Sequence, residues 1–193
     1  MRKVVLQMIT TLNGRLDRPD QWVTSVSDQL DADFNRVCET FDTVLLGHKT
    51  YEEMSGYWPS AETDSNQSES NHSLAHKLNT YKKYVFSTGS EQKPLAWNNA
   101  ELVQAHTDTD IINFINNLKS QSGKDIHLAG GASLAQSLIG LGLVDEFHFF
   151  VYPVISNGLA WFDHLKDKQD LELLSTKPYE HGIVGLNYRL KNN

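Results

Sequence analysis

The chain has 193 residues, 39% hydrophobic, 10% aromatic and 21% charged, which suits one ordinary domain with its own core and excludes a disordered or fibrous protein. Seventeen Lys and Arg against twenty-four Asp and Glu give a net charge of −7, so no basic stripe is available for a nucleic-acid backbone. The single cysteine, Cys38, excludes an internal disulfide and a multi-cysteine zinc cluster.

Lys3 to Leu12 is apolar and β-branched, stops at Asn13-Gly14, and reads as a strand buried on both faces. Gln7 and Thr10-Thr11 interrupt it, and no run of bilayer length follows elsewhere, so a cytoplasmic protein without a membrane partner is expected. Leu30, Phe34, Val37 and Cys38 recur at helical spacing between Ser25 and Thr40, with Ser25 or Ser27 as the cap. Thr43 to Leu46 is a short strand ending at Gly47, and Lys49 to Ser55 begins a helix. Residues 60–73 are almost free of apolar residues, which predicts a mobile polar loop insertion. A short helix over 74–81, a strand over 83–87 and another over 101–105 follow. Asp108 is read as the cap of a helix reaching Gln121.

Asp125 to Ala129 reads as a strand, Gly130-Gly131 as a tight turn and Ser133 to Leu141 as a helix. Val144 to Val154 is a long aromatic central strand, mostly core, whose apolar excess is compatible with a homodimer interface. Leu171–Thr176 and Gly182–Leu190 form an antiparallel hairpin, with Gly182 and Gly185 as bulge sites. Alternating strands and helices followed by strands alone predict a single α/β domain: a mostly parallel mixed sheet between helices, with an antiparallel C-terminal edge. In such sheets the ligand sits beyond the carboxyl ends of the strands.

Three strand-to-helix corners carry chemistry. Gly130, Gly131, Ala132, Ser133 and Leu134 place glycines and free helix amides where an anion such as pyrophosphate binds. Gly47, His48, Lys49 and Thr50 combine free amides with a hydroxyl and basic side chains, suited to a 2′-phosphate. Ser87 and Thr88 offer hydroxyls at the third. His72 and His76 are four residues apart, but a lone pair in a polar segment reads as surface histidines, and no metal site is expected. Cys38 reads as core.

The ordered set Val-Leu-Leu-Gly-His-Lys-Thr-Tyr-Glu (44–52), Lys-Tyr-Val-Phe-Ser (83–87), His-Leu-Ala-Gly-Gly-Ala-Ser-Leu (127–134), Gly-Leu-Val-Asp-Glu-Phe (142–147) and Pro-Val-Ile (153–155) resembles the dihydrofolate-reductase-like superfamily. It is most similar to the branch of stand-alone proteins resembling the reductase domain of the bifunctional riboflavin-biosynthesis enzyme. The resemblance implies a three-layer α/β/α sandwich around an eight-stranded sheet and bound NADPH. Gly47 to Thr50 would hold the adenosine-side phosphates, Ser87 and Thr88 would lie near the 2′-phosphate, and Gly130 to Leu134 would hold the pyrophosphate. Ile9 and Leu16 would lie near the nicotinamide. His48 and Gly89 stand where the superfamily has arginine, which opens NADH use.

The implied activity is hydride transfer to a small heterocyclic or sugar-derived substrate, as in 5-amino-6-(5-phosphoribosylamino)uracil reductase. Dihydrofolate reductase and a catalytically idle nucleotide-binding protein are the alternatives. Counting sixteen residues back from Gly47, the spacing of the dihydrofolate reductase carboxylate, reaches Asp31 as substrate anchor or proton relay. Asp28, Asp31 and Asp33 together also read as a solvated helix face. Arg15, Arg18 and Arg36 are the candidates for a substrate phosphate.

Overall fold

The computed structural model describes residues 1–23, 25–87, 94–163 and 165–191. The elements run β1 (Val4–Thr11), α1 (Pro19–Trp22), α2 (Asp28–Cys38), β2 (Phe41–Gly47), α3 (His48–Ser55), α4 (Trp58–Ala61), α5 (Glu69–Thr80), β3 (Lys82–Phe86), β4 (Ala100–Val103), α6 (Asp108–Ser120), β5 (Asp125–Gly130), α7 (Ala132–Gly140), β6 (Glu146–Tyr152), β7 (Leu171–Pro178) and β8 (Val184–Leu190). One eight-stranded sheet has the order β4-β3-β2-β5-β1-β6-β8-β7. β8 is antiparallel to both its neighbours, and every other adjacent pair is parallel. This is the mixed sandwich with an antiparallel C-terminal edge that the alternation of elements predicts.

Alternating side chains along each strand feed two cores. On one face Leu6, Met8, Leu128 and Phe147 pack with Ile115 and Leu118 of α6 and Leu134 and Leu138 of α7. On the other, Val5, Val44 and Leu46 pack with Tyr51 and Leu78, while Trp22, Leu30, Phe150 and Tyr152 form a separate cluster. Burying these side chains contributes ~1.5–3 kcal/mol each before chain entropy is subtracted. β6 lies inside the sheet between β1 and β8. Its aromatic residues are mostly core, as expected: Phe147, Phe150 and Tyr152 are buried, and Phe149 is flanked by Phe162 and Tyr188.

Several local expectations are corrected. Residues 60–73 are not a featureless loop, because α4 and the first turn of α5 occupy much of them. Ser68 caps α5 by accepting from the Asn71 amide at 3.1 Å, and Ala75 and Leu78 supply the buried face. A helix with so few apolar residues is invisible to composition. Thr107, not Asp108, caps α6, in a reciprocal box with Asp110. The register shift in the hairpin falls on β7 between Leu173 and Ser175 instead of at a glycine. Gly185 serves a close approach: a Cβ there would lie 3.0 Å from the Tyr179 ring.

Candidate active site

Three helices of the sheet layers begin with a side-chain cap: Ser27 on α2, Ser68 on α5 and Thr107 on α6. α3 and α7 differ. Their N-caps are Gly47 and Gly131, and neither has a side-chain cap. The first amides of both helices therefore keep their donors for something else, and each terminus carries about half a positive charge.

The sheet brings these two termini together. β2 and β5 are neighbours, and a Cβ on Gly47 would lie 3.7 Å from the Gly131 amide nitrogen and 4.0 Å from the Gly130 carbonyl. Thr50 Oγ1 lies 3.0 Å from where a Gly131 Cβ would be, so a side chain there would crowd the hydroxyl. Gly130 has φ +105°, a conformation that side chains rarely adopt, and the Trp161 ring covers it at 3.5 Å from its Cβ position. The result is a cradle of amides around two glycine corners, flanked by the Thr50 hydroxyl and the Trp161 ring. Such a place attracts phosphate.

Beside the cradle the sheet splits. β1 pairs with β5 only over Val4–Leu6, yet continues to Thr11 along β6. Past Leu6, then, β1 and β5 part on the side where the Gly130-Gly131 corner lies. Ile9 and Leu16 flank this split, both half-buried: Ile9 packs with the Trp22–Phe150 cluster, and Leu16 packs in the core that holds Trp161. The Leu16 amide donates to the Leu159 carbonyl at 3.1 Å, and Trp161 donates its amide to the Gly14 carbonyl at 3.1 Å, closing the far wall.

The expected residues thus fall into one region with differing exposure. Gly47, His48, Thr50, Gly131 and Ala132 are half-buried, Lys49 and Ser133 are exposed, and Gly130 and Leu134 are buried. His48 Nδ1 lies 3.9 Å from Glu52, one turn on. Ser87 is half-buried at the end of β3, while Thr88 lies outside the described residues.

On α2, Asp31 is half-buried, and its backbone carbonyl accepts from the Asn35 side chain at 3.3 Å. The neighbouring Leu30 is the one turned into the apolar cluster with Trp22 and Phe150. Asp33 is not on a solvated face. It is buried and receives hydrogen bonds from Lys177, Arg36 and Tyr179 Oη, the last at 2.9 Å. Burial raises its carboxyl, but the hydrogen bonds from Lys177 and Tyr179 and the Arg36 charge outweigh it and hold the group below the ordinary carboxylate range. Sequence spacing could find only Arg36, one turn on in α2, because the Lys177 and Tyr179 donors come from the C-terminal hairpin.

The three arginines do not converge. Arg15 faces Asp163 at 3.7 Å, Arg18 faces Asp17 at 3.9 Å, and Arg36 binds Asp33. His76 is bound to Glu62 at 2.7 Å and His72 to the Asp64 carbonyl at 2.8 Å. Among the described residues no group of three potential metal ligands forms. Cys38 is fully buried, and burial pushes its thiol up to about 12, so it is inert core. Among the described residues no helix is long and apolar enough to cross a membrane.

A mixed sheet split beside two uncapped helix termini is the dihydrofolate-reductase-like architecture, and the chain has that fold. Dihydrofolate reductase from Enterococcus faecalis, solved with NADP(H), superposes with a TM-score of 0.63 at 12% identity over 98% of this chain and 97% of its own. A candidate riboflavin biosynthesis protein from Shewanella sp. PV-4 superposes with a TM-score of 0.72 at 18% identity over the full length of both chains. Within this fold the chain belongs to the RibD C-terminal domain family, which it matches over residues 2–184. The uncharacterized protein YyaP of Bacillus subtilis (strain 168) is 30% identical over 188 residues, 97% of this chain and 94% of its own length.

Proposed function

We propose that this protein is a nicotinamide-dependent reductase that transfers hydride to a small heterocyclic or sugar-derived acceptor, similar to 5-amino-6-(5-phosphoribosylamino)uracil reductase. The carrying observation is the convergence of the two uncapped termini at Gly47 and Gly131 beside the β1/β5 split. Their amides, with Thr50 and Ser133, would hold the phosphates of NADPH. Leu134 would back them, and Ile9 and Leu16 would border the nicotinamide. Membership of the RibD C-terminal family and the NADP(H)-bound state of the Enterococcus enzyme support the choice of cofactor.

When bound, the nicotinamide supplies the hydride; the chain's part is to hold and orient the reactants and to manage a proton. Asp31, half-buried on α2 next to Leu30, is the proposed anchor or proton relay for the acceptor. We place the protein in the cytoplasm, as a homodimer whose exposed Leu173 and Leu174 on edge strand β7 are the apolar contact residues.

One observation favours a second reading of cofactor choice. Glu52 beside His48 puts an acid one turn from the corner assigned to the 2′-phosphate, which favours NADH. Turnover decides the activity. Loss of reduced-cofactor absorbance on adding 5-amino-6-(5-phosphoribosylamino)uracil, whose ring-opened ribosylamino C=N bond takes the hydride, with Asp31→Asn slower than wild type, supports the proposal. Tight cofactor binding without turnover on any aminopyrimidine or dihydrofolate would leave an idle nucleotide-binding protein.

A further inference from the structure

Gln7 interrupts the apolar first strand, and its setting is unusual. It is only 5% exposed, yet neither Oε1 nor Nε2 of its carboxamide has a hydrogen-bond partner among the described residues. Buried amides are almost always paired, because an orphan donor and acceptor forfeit their water without compensation.

Its position places that amide at the split. Val4–Leu6 are the β1 residues paired with β5, and Gln7 is the first beyond them. By strand alternation Gln7 shares the α2 face with Val5, in the cluster with Val44 and Tyr51, and with Ile9, in the cluster with Leu30 and Phe34. The amide therefore sits between two apolar clusters, under α2 and next to the diverging strands. Its Cα partner on β6 is His148, and His148 Nδ1 also lacks a partner among the described residues. These imidazole and amide groups are not spent on each other.

We propose that Gln7 is the specificity-determining residue of the acceptor site, reading a neutral edge in which a carbonyl and an N–H are adjacent, as in an amide, lactam or ureide. A carboxamide offers two donors and two lone pairs side by side, so only a ligand with a matching acceptor and donor satisfies both ends. A carboxylate would leave the Gln7 oxygen unpaired, and an ammonium would leave the nitrogen unpaired. A site that hydrogen-bonds such an edge rejects analogues lacking it, because its own polar atoms are then stranded. The inference rests on the reductase reading for the identity of the site.

The test uses the NADPH complex of the full chain with uracil and 1,3-dimethyluracil as probes, in wild type, Gln7→Leu and, as a second apolar variant, Gln7→Met. Wild type binds uracil at least about tenfold more tightly than the dimethyl analogue, and both variants abolish that discrimination while NADPH affinity stays within about twofold. Both variants also melt higher than wild type, since an orphaned amide is removed from the interior. Four results would overturn the proposal: no uracil binding by wild type, unchanged discrimination in the variants, NADPH affinity falling in step with uracil (the amide then reads the nicotinamide carboxamide), or a lower melting temperature (the amide is then structural). If wild type binds uracil selectively but not NADPH, the reductase reading fails and the role of Gln7 stands.

Discussion

Gly47→Ala separates folding from cofactor binding more cleanly than any other change in the cradle. Gly47 has φ −72° and ψ 152°, ordinary for alanine, and the added Cβ would meet the Gly131 nitrogen at 3.7 Å, Leu134 Cβ at 3.9 Å and the Gly130 carbonyl at 4.0 Å. All are normal van der Waals distances. The poorer N-cap costs up to ~1 kcal/mol, and the stiffer unfolded chain returns ~0.4–1 kcal/mol, so the net stays within about 1 kcal/mol. For a chain of this size that is a change in Tm of at most about 2–4 °C. Binding responds differently, because on the proposed reading the methyl stands where a phosphate oxygen approaches both helix termini. Losing one or two charge-assisted hydrogen bonds costs ~1.5–3 kcal/mol, or about 10–150-fold in Kd. Tryptophan fluorescence reads this directly, since Trp161 lies against Gly130. A folded Gly47→Ala protein that binds NADPH with wild-type Kd would refute the cradle as the phosphate site.

Other expectations concern what holds the site in place. Asp33→Ala strands the Lys177 and Tyr179 donors that tie α2 to the C-terminal hairpin, and is expected to lower stability by ~1–3 kcal/mol in urea unfolding. Lys177→Met should cost less, because that side chain is 41% exposed. Lys83 is fully buried and donates to the carbonyls of Asn79, Tyr81 and Asn98 at 3.2, 2.9 and 2.9 Å, so Lys83→Met should lower the urea midpoint by an amount worth ~2–3 kcal/mol. His127 is stacked on Phe41, and burial, helped by the nearby His148, pushes it down to about 4. The folded protein then binds fewer protons than the unfolded chain between pH 6.5 and about 4, so stability falls as pH drops through that window, by about 3 kcal/mol at the lower end. Thermal melts of His127→Leu should show a shallower slope there; an unchanged slope would exclude His127 as the cause.

Much of the fold was legible because its signals are local. The apolar runs of β1, β2 and β5, the glycines that end β2 and β5, and the helical spacing of Ile111, Ile112, Ile115 and Leu118 each report their own element. The cradle residues were legible for the same reason, since an uncapped helix start after a strand is written in consecutive residues. What escaped depends on partners far along the chain. Asp33 looks like a surface acid until Lys177 and Tyr179 arrive from the hairpin. Trp161 looks like packing until its loop folds over Gly130. Gln7 reads only as a polar interruption, because the split beside which its amide lies unpaired is a property of two strands, Val4–Thr11 and Asp125–Gly130, rather than of either alone. Residues 69–73 read as loop from composition because capping by Ser68 and docking on α2, rather than apolar content, make them helical.

The central claim is that the paired helix termini at Gly47 and Gly131 form a dinucleotide site. Isothermal titration of the wild-type protein with NADPH and, separately, with NADH tests it most directly. Saturable one-to-one binding of NADPH, tighter than that of NADH, is the predicted result, with the amide cradle, Lys49 and Ser87 sufficing for the phosphates despite His48. Absence of heat and of binding with both dinucleotides would contradict the account and leave the fold without its proposed cofactor.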